Sequence, residues 1–304
     1  MAQAPRYKLV MVGTDTEVFL RDASTKDQVP VIGLIGGTKY NPKPVPELGR
    51  GFFVQEDNVM LEYNVPPAKT KDVFVSNVMA MNNYLTTFLA GKNLEVDICS
   101  SMQFTKNQLS HPQAQNIGCE PDWDVWSRLV NISPKEHPLM NKIRTSGGHL
   151  HVSFAVDGKP CTNSDLDDVF LKEPLVKALD LTLGIPALTH DLDFRRRQLY
   201  GKPGAFRNKD YGIEYRTLSN FWTKSPDMIE WAFTGITQAI FLCNKYPGLL
   251  SENYSHICDC FRYSQQNDQK RSQEFMQYLL TLFGLRDRAN GIPAYSGVKQ
   301  NVIW

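Results

Sequence analysis

Side chains that can bind metal ions recur at every second position in four short segments of the chain. The segments are TDTEVFL, VMLEYNV, GGHLHVSF and YGIEYRTL, and their polar residues include Asp15, Glu17, Glu62, His149, His151, Glu214 and Arg216. Residues two apart in a β-strand point to the same face of the sheet. The spacing therefore predicts four strands, each with an apolar face and a face that carries carboxylate, imidazole or guanidinium groups.

The combined polar face predicts a metal-dependent site for phosphates. Half-exposed strands alternate in many proteins, and for one strand taken alone a solvated face is the better explanation. Taken together, the four faces consist mostly of Asp, Glu and His, whereas solvated faces are usually rich in Lys, Thr, Ser and Gln. Carboxylate oxygens are preferred ligands of Mg²⁺ and Mn²⁺, which leave coordination positions for substrate phosphates. The joint pattern favours a nucleotide-dependent enzyme.

A basic, glycine-rich run precedes the last of these strands. Its sequence is RRRQLYGKPGAFRNKDYGIEYR, and its basic residues include Arg195, Arg196, Arg197, Lys202 and Arg207. Guanidinium groups on a flexible backbone suit a triphosphate and a phosphoryl group in transfer. A solvated basic loop is commoner in general, but the run leads directly into the strand with Glu214, which favours phosphate binding. The sequence leaves open which of the three consecutive arginines faces the site.

Two further segments each keep more than one interpretation. GLIGGTKYNPKP at 33–44 is not a P-loop, because Thr38 precedes Lys39 instead of following it. A substrate or nucleotide loop and a plain hairpin turn fit this segment equally well. The acidic side chains of GCEPDWDVW at 118–126 are Glu120, Asp122 and Asp124. They fit a third acidic contribution to the site, a site for a substrate amine, or an isolated acidic turn.

Interleaved helical and amphipathic strand segments predict an α+β protein with a half-exposed antiparallel sheet. Strands are predicted at 7–12, 15–21, 52–54, 59–65, 95–104, 148–154 and 212–218, with a turn at Gly13 and Thr14. Helices are predicted at 71–90, 165–183, 226–246 and 270–284. Long functional loops are predicted at 105–145 and 186–211. We interpret 1–304 as a single catalytic domain, with 225–304 as its helical C-terminal part.

Composition limits the function classes. The 304-residue chain has 42% hydrophobic residues, enough for a full core, and a formal net charge of +1. So small a charge gives no global reason to bind nucleic acid or an anionic membrane, and no direct nucleic-acid binding is expected. No stretch approaches the roughly 20 apolar residues of a membrane span, and the first residues, MAQAPRYKLVMVGTD, do not read as a secretory signal, so no membrane partner is expected. The six cysteines fit neither a disulfide framework nor a zinc ribbon, so a reducing cytoplasm is expected.

The order of the motifs resembles that of a known family. GTDTEVFL, EDNVMLEYNVPPA, TSGGHLHVSF, LYGKPGAFR and YGIEYRTLSNFW are similar to the phage carboxylate-amine ligase type 2 family, also called phage amidoligases. That family belongs to the superfamily of glutamine synthetase and glutamate-cysteine ligase. The resemblance covers roughly residues 8 to 230, and each motif alone would be weak. It implies a curved, largely antiparallel sheet of the glutamine synthetase type, with helices packed on its outer face.

The resemblance also implies roles for particular residues. The implied metal ligands are Asp15, Glu17, Glu62, His149 and Glu214, with Asp at position 15 where the superfamily usually has Glu. The residues implied to contact ATP and its phosphates are Arg197, Lys202, Arg207, Arg216 and His151. Glu214 and Arg216 match the E-x-R strand of the superfamily, so both are expected to act in catalysis. Glu56 and Asp57 are candidate acceptors for the proton of the incoming amine.

The implied reaction joins a carboxylate to an amine at the expense of ATP, with Mg²⁺ or Mn²⁺ as cofactor. ATP would phosphorylate the carboxylate, and the amine would attack the acyl phosphate to give an amide, ADP and phosphate. The carboxylate would be a small molecule or a peptide, and a separate glutaminase partner that supplies ammonia fits the family analogy. The alternatives are a metal-dependent amide hydrolase and a non-catalytic phage structural or binding protein. For a phage-encoded chain, the compartment would be the cytoplasm of the infected bacterium.

Overall fold

A computed structural model describes residues 4–116, 122–132, 134–135, 137–163, 166–246 and 254–285. The strands are β1 Tyr7–Asp22, β2 Gln28–Val29, β3 Lys43–Pro44, β4 Phe53–Asp57, β5 Met60–Ala68, β6 Leu94–Asp97, β7 Ser101–Gln103, β8 Trp123–Asp124, β9 Leu129–Val130, β10 Ile143–Thr145, β11 Gly148–Val156, β12 Lys159–Pro160, β13 Ala205–Lys209 and β14 Gly212–Tyr215. The α-helices are α1 Lys71–Ala90, α2 Pro112–Gln115, α3 Leu166–Leu179, α4 Ile185–Ala187, α5 Phe194–Leu199, α6 Pro226–Lys245, α7 Tyr254–Gln265 and α8 Gln269–Leu282.

One large antiparallel sheet organises the described residues. Twelve of the described strands belong to it, in the order β3-β4-β5-β1-β11-β14-β13-β8-β9, with β2 and β6 also paired to β1 and β12 paired to β11. The strands β7 and β10 form a separate two-stranded sheet. The predicted α+β class and the antiparallel sheet are confirmed. The strand pairs β5-β1 and β11-β14 form the middle of the sheet, where the predicted polar faces lie.

The predicted turn at Gly13 and Thr14 is wrong, because β1 runs unbroken through both residues. Gly13 pairs with His151 of β11, and Thr14 Oγ1 donates to the His149 carbonyl oxygen at 2.6 Å. The register with β5 shifts between Val12 and Thr14, so the glycine marks a bulge in a continuous strand. Strands on both sides hold the backbone extended here, which overrides the local turn preference.

Helices cover the apolar face of the sheet, opposite the polar groups. In α1 the buried residues are Phe74, Val78, Met81, Leu85 and Leu89, spaced by three and four as the sequence predicts. The helices α1 and α6 pack on β5 and β1, and α3 packs on β14. The ring of Phe74 stacks on that of Trp222 at a centroid distance of 5.9 Å. These contacts bury the apolar side of the strands and leave the other side for chemistry.

Four predicted segments differ in detail from the structure. The loop predicted at 105–145 contains α2 and the short strands β8, β9 and β10. The strand predicted at 95–104 is two strands, because β6 pairs with β1 whereas β7 pairs with β10. The helix predicted at 165–183 continues past α3 as a π-helical turn, Asp180–Gly184. The loop predicted at 186–211 contains α5 and β13, and Asp193 caps α5 by accepting from the backbone N–H of Arg195 at 3.0 Å.

Helices make up the described C-terminal part of the chain. Beyond residue 225, the described elements are the helices α6, α7 and α8, and residues 247–253 and 286–304 of the predicted helical part lie outside the described residues. Short 3₁₀ turns occur at Pro46–Leu48, Pro138–Asn141 and Asn220–Lys224. Within the described ranges, no helix combines the length and apolar character needed to cross a membrane.

Candidate active site

Strand register brings the four predicted polar faces together. Glu17 of β1 lies opposite Glu62 of β5, and Asp15 of β1 lies opposite His149 of β11. On the other side of β11, His151 lies opposite Glu214 of β14. Because neighbouring strands are about 5 Å apart, these facing pairs form one continuous polar surface across the sheet.

An acidic cluster of three carboxylates lies at one side of this surface. Oxygens of Glu17, Asp57 and Glu62 all lie within 4.8 Å of one another. Burial and the neighbouring Asp57 raise the pKa of Glu17 to about 8. Burial, followed by the carboxylates around it, also raises the pKa of Glu62 well above its usual value, and burial raises that of Asp57. The cluster therefore holds negative charge at a cost that a cation would relieve.

The acidic cluster fits a divalent cation by the chemistry of its donors. All three groups offer oxygen, the atom type that Mg²⁺ and Mn²⁺ prefer. One oxygen of Glu17 is oriented by the backbone N–H of Gly147, which donates to Glu17 Oε2 at 2.6 Å. The hairpin that carries Asp57 is also held in place, since Asn58 at its tip donates to the carbonyl oxygen of Ala114 at 3.0 Å. The ligands are thus positioned by backbone contacts that do not depend on a bound ion.

A mixed cluster lies beside the acidic one on the same face. It consists of Asp15, His151 and Glu214, whose ligand atoms also lie within 4.8 Å of one another. His151 Nε2 is 2.9 Å from Asp15 Oδ1, and His151 Nδ1 contacts the hydroxyl of Tyr211. Burial opposes protonation of His151, but Asp15 and then Glu214 outweigh it and raise its pKa. In the opposite direction, the two histidines outweigh burial and hold the pKa of Asp15 well below its usual range.

Three basic groups surround Glu214. Arg216 Nη1 forms an ion pair with Glu214 Oε1, Arg207 Nη1 lies 3.5 Å from the same oxygen, and Lys209 Nζ lies 2.6 Å from Oε2. Burial would raise the pKa of Glu214, but the charge of Arg216 outweighs it and lowers the pKa to about 2. Glu214 is therefore ionised, and its carboxylate contacts three basic side chains. Guanidinium and ammonium groups gathered in this way suit an anionic phosphoryl group.

His149 lies between the clusters with both ring nitrogens engaged. Its Nδ1 is 3.1 Å from Asp15 Oδ1, and its Nε2 is 3.1 Å from the hydroxyl of Tyr200. Burial and the nearby Arg216 lower its pKa, so the neutral ring is favoured. A Cβ atom at position 147 would overlap His149 Nε2, which explains a glycine there. These contacts orient the imidazole and occupy the nitrogen atoms that a metal would use.

Some predicted residues lie outside the two clusters. The carboxylate of Glu56 accepts from the backbone N–H groups of Gly33, Ile35 and Gly36 at 2.7–2.9 Å, and these bonds overcome burial to lower its pKa. Glu56 thus holds the 33–44 loop. Its neighbour Asp57 belongs to the acidic cluster.

Of the three consecutive arginines, Arg196 contacts the backbone beside β11 and after β14. Arg196 is buried and donates to the carbonyl oxygens of Ser146, Thr217 and Leu218 at 2.8–2.9 Å. Arg197 instead donates to the carbonyl oxygen of Asp191. The side chain of Lys202 is half-buried, and its carbonyl oxygen accepts from the Thr217 hydroxyl at 3.0 Å.

The structure adds residues that the sequence did not single out. Lys209 follows Arg207 by two positions on β13, so the two side chains lie on the same face of the strand. It also belongs to the basic run that indicated Arg207, but was not singled out there. Tyr200 covers Arg216, with the guanidinium carbon 5.3 Å from the ring centroid. Tyr211 contacts His151 from the turn between β13 and β14. The two tyrosines come from segments without periodicity, so no sequence signal indicated them.

Comparison with known families agrees with the predicted resemblance. Residues 144–258 match the family described as phage phiEco32-like COOH.NH2 ligase-type 2. The matched segment is a little over a third of the chain and contains β11, β13 and β14, whereas β1 and β5 lie outside it. No match was found among curated proteins. The resemblance to this family is confirmed, and the family's name supports a ligase that joins a carboxylate to an amine.

Proposed function

We propose that this protein is an ATP-dependent carboxylate-amine ligase that works through an acyl phosphate. The observation that carries the proposal is the position of the acidic cluster beside a buried glutamate that three basic groups surround. Transfer of a phosphoryl group needs both features, because the phosphates require cations on their oxygens and the transferred group develops negative charge. The name of the matched family supplies the reaction class.

The residues divide into two groups in this proposal. Glu17, Asp57 and Glu62 hold a divalent cation, which offsets the charge of the ATP phosphates when it is bound. Arg207, Lys209 and Arg216 are the residues that contact the phosphates and the phosphoryl group in transfer. In the mixed cluster, Glu214 orients these basic side chains, and Asp15, His151 and Glu214 would together form a second cation site.

Bond changes in the proposed reaction balance without a covalent enzyme intermediate. A carboxylate oxygen attacks the γ-phosphorus of ATP, the bond to the β-phosphate oxygen breaks, and ADP leaves. The amine nitrogen then attacks the acyl carbon, and the C–O bond to the phosphoryl group breaks to release phosphate. Asp57 belongs to the acidic cluster and Glu56 holds a loop, so neither is assigned as the base. Solvent or the released phosphate accepts the proton of the amine.

The test is ADP release from ATP and Mg²⁺ across a panel of small and peptide carboxylates, each with ammonia or a primary amine. Glu62→Gln should abolish turnover, because it removes a cation ligand while keeping the size of the side chain. Glu95→Gln is the matched control, since Glu95 forms an exposed ion pair with Lys26 at 2.7 Å, away from the site. ADP release that needs both an acid and an amine supports the ligase. Hydrolysis of an amide without ATP would favour the hydrolase instead.

A further inference from the structure

Asp122 contacts the arginine that the proposed function places at the phosphoryl group. Arg216 Nε donates to Asp122 Oδ2 at 3.2 Å, and both side chains are buried. The same guanidinium group pairs through Nη1 with Glu214. Two carboxylates from different parts of the chain therefore engage two nitrogens of one guanidinium group. The planar fork of arginine has little freedom left when two of its nitrogens are fixed.

A short hairpin presents Asp122 to Arg216. The second oxygen of Asp122 accepts from Asn131 Nδ2 at 2.7 Å, and the Asp122 carbonyl oxygen accepts from the Asn131 backbone N–H at 2.8 Å. These bonds close the hairpin formed by β8 and β9. The nearby Asp124 points inward to its own turn, where it accepts from the backbone N–H of Trp126 and from the Ser127 hydroxyl, each at 2.8 Å. Glu120 lies outside the described residues.

The hairpin itself is anchored to the rest of the fold. Val125 N–H donates to the carbonyl oxygen of Gly204 at 3.1 Å, and Trp126 Nε1 donates to the buried carboxylate of Asp180 at 2.6 Å. Gly204 has a φ of +67°, and a side chain there would overlap Val125 and Trp126. The carboxylate of Asp122 is thus held in place independently of Arg216. It can act as a fixed reference for the guanidinium group.

We propose that Asp122 is a positioning residue for Arg216, an inference that rests on the proposed ligase function. Asp122 fixes the guanidinium plane from the Nε side, while Glu214 fixes it from the Nη1 side. Removing Asp122 leaves Arg216 charged and paired with Glu214, but without the contact that holds the guanidinium plane from the Nε side. Because misplacement of a catalytic group by about 1 Å can cost about 100-fold in rate, the loss should be seen in kcat. Asp122 itself need not touch a substrate.

Kinetics of three variants test this inference. Asp122→Ala should lower kcat by about 30-fold and leave the KM for ATP, acid and amine within about twofold. Asp122→Asn should recover most of the rate, because its amide oxygen can still accept from Arg216 Nε and the Asn131 amide can turn to accept from its NH₂ group. Arg128→Ala is the matched control, since it removes a different anchor of the hairpin, the 2.8 Å ion pair with Glu173. It should leave kcat unchanged.

Hydrogen exchange at Arg216 Nε tests the positioning role without any need for ligase turnover. The Nε–H signal of Arg216 can be assigned in a ¹H–¹⁵N spectrum by its loss in Arg216→Lys. This proton should exchange slowly in the wild-type protein and in Arg128→Ala, and much faster in Asp122→Ala, with partial protection in Asp122→Asn. Unchanged exchange in Asp122→Ala would overturn the positioning role even in a protein without ligase activity. In an active ligase, an unchanged kcat would overturn it, and an unchanged kcat with a raised KM for the amine alone would make Asp122 an amine-binding residue instead.

Discussion

Asp15 and His149 face each other across β1 and β11, with Asp15 Oδ1 and His149 Nδ1 3.1 Å apart. The same strand carries Glu17 two residues later, on the same face. Strand β1 therefore supplies a carboxylate to each of the two clusters. A displacement of this central strand would disturb both clusters together, and the site should respond as a unit to changes in charge or packing.

Charge in the acidic cluster should make stability depend on pH. The pKa of Glu17 rises from its ordinary 4.5 when unfolded to about 8 when folded, through burial and then Asp57. For an acid whose pKa is raised in the folded state, the folded state binds more protons than the unfolded state. The contribution of Glu17 to the free energy of unfolding is therefore fully present below pH 4.5 and is lost as the pH rises towards 8. In EDTA, the wild-type free energy of unfolding should fall between pH 5 and pH 8.5, by on the order of 3 kcal/mol more than in Glu17→Gln. Urea denaturation at both pH values measures the free energy of unfolding of each protein. An equal change between the two pH values in wild type and Glu17→Gln would contradict the expectation.

A divalent cation should reverse this loss of stability. At pH 8, Mn²⁺ or Mg²⁺ at about 100 times its Kd should raise the free energy of unfolding by about 2.7 kcal/mol, because only the folded chain assembles the cluster. Glu62→Gln should abolish most of the gain and should be more stable than the wild type without metal. Glu95→Gln changes the net charge equally and should keep the full gain. Equal stabilisation of all three proteins would place the cation elsewhere.

Lys209 should contribute to nucleotide affinity. Its ammonium group lies 2.6 Å from Glu214 and is partly exposed on the polar face of β13, where an incoming phosphate would meet it. Lys209→Met keeps the aliphatic stem and should weaken binding of ATP by about tenfold, the value of one charge-assisted hydrogen bond. Isothermal titration with ATP and Mg²⁺ measures the change, with Lys26→Met as the control on a remote exposed ion pair. A similar Kd for both variants would remove Lys209 from the phosphate site.

Gly147 should be intolerant of even one methyl group. In Gly147→Ala the new Cβ would overlap the ring of His149, which Asp15 and Tyr200 hold from both nitrogens. The variant should lose about 2 kcal/mol of unfolding free energy and most of its activity, because the ring must move out of the site. Gly91→Ala is the control, since its Cβ would meet nothing closer than the Phe88 carbonyl oxygen at 3.6 Å. Thermal unfolding and activity of both variants test this prediction. A Gly147→Ala variant with wild-type stability and activity would mean that His149 can move without cost.

The polar faces were predictable from sequence because a strand repeats every two residues. The alternation placed Glu17, Glu62, His151 and Glu214 on one side of their strands, and the register of the antiparallel sheet then joined them. Similarly, the spacing of apolar residues fixed α1 over 71–90 without error at either end. In both cases local periodicity and tertiary packing require the same arrangement, which makes the sequence informative.

Contacts from irregular segments could not be predicted in the same way. A third acidic contribution was one of three interpretations of the segment with Asp122, but the sequence could not identify Arg216 as its partner, because the two residues are 94 positions apart. The turn predicted at Gly13 was wrong because tertiary structure overrides a local preference there. The strands on both sides of β1 impose an extended backbone on Gly13. Glu56 and Asp57 are neighbours in sequence but point to opposite faces of β4, so one holds a loop and the other joins the acidic cluster.

An acyl phosphate can be detected by following oxygen from the carboxylate substrate. The first acid and amine pair that supports turnover would be used with ¹⁸O in both carboxylate oxygens, and the released phosphate examined by ³¹P NMR. An acyl phosphate transfers one substrate oxygen to phosphate, so we expect one ¹⁸O atom in each phosphate and an equal amount of amide. Phosphate without ¹⁸O, released with ADP but without amide, would show hydrolysis of ATP by water and contradict a ligase that forms an acyl phosphate.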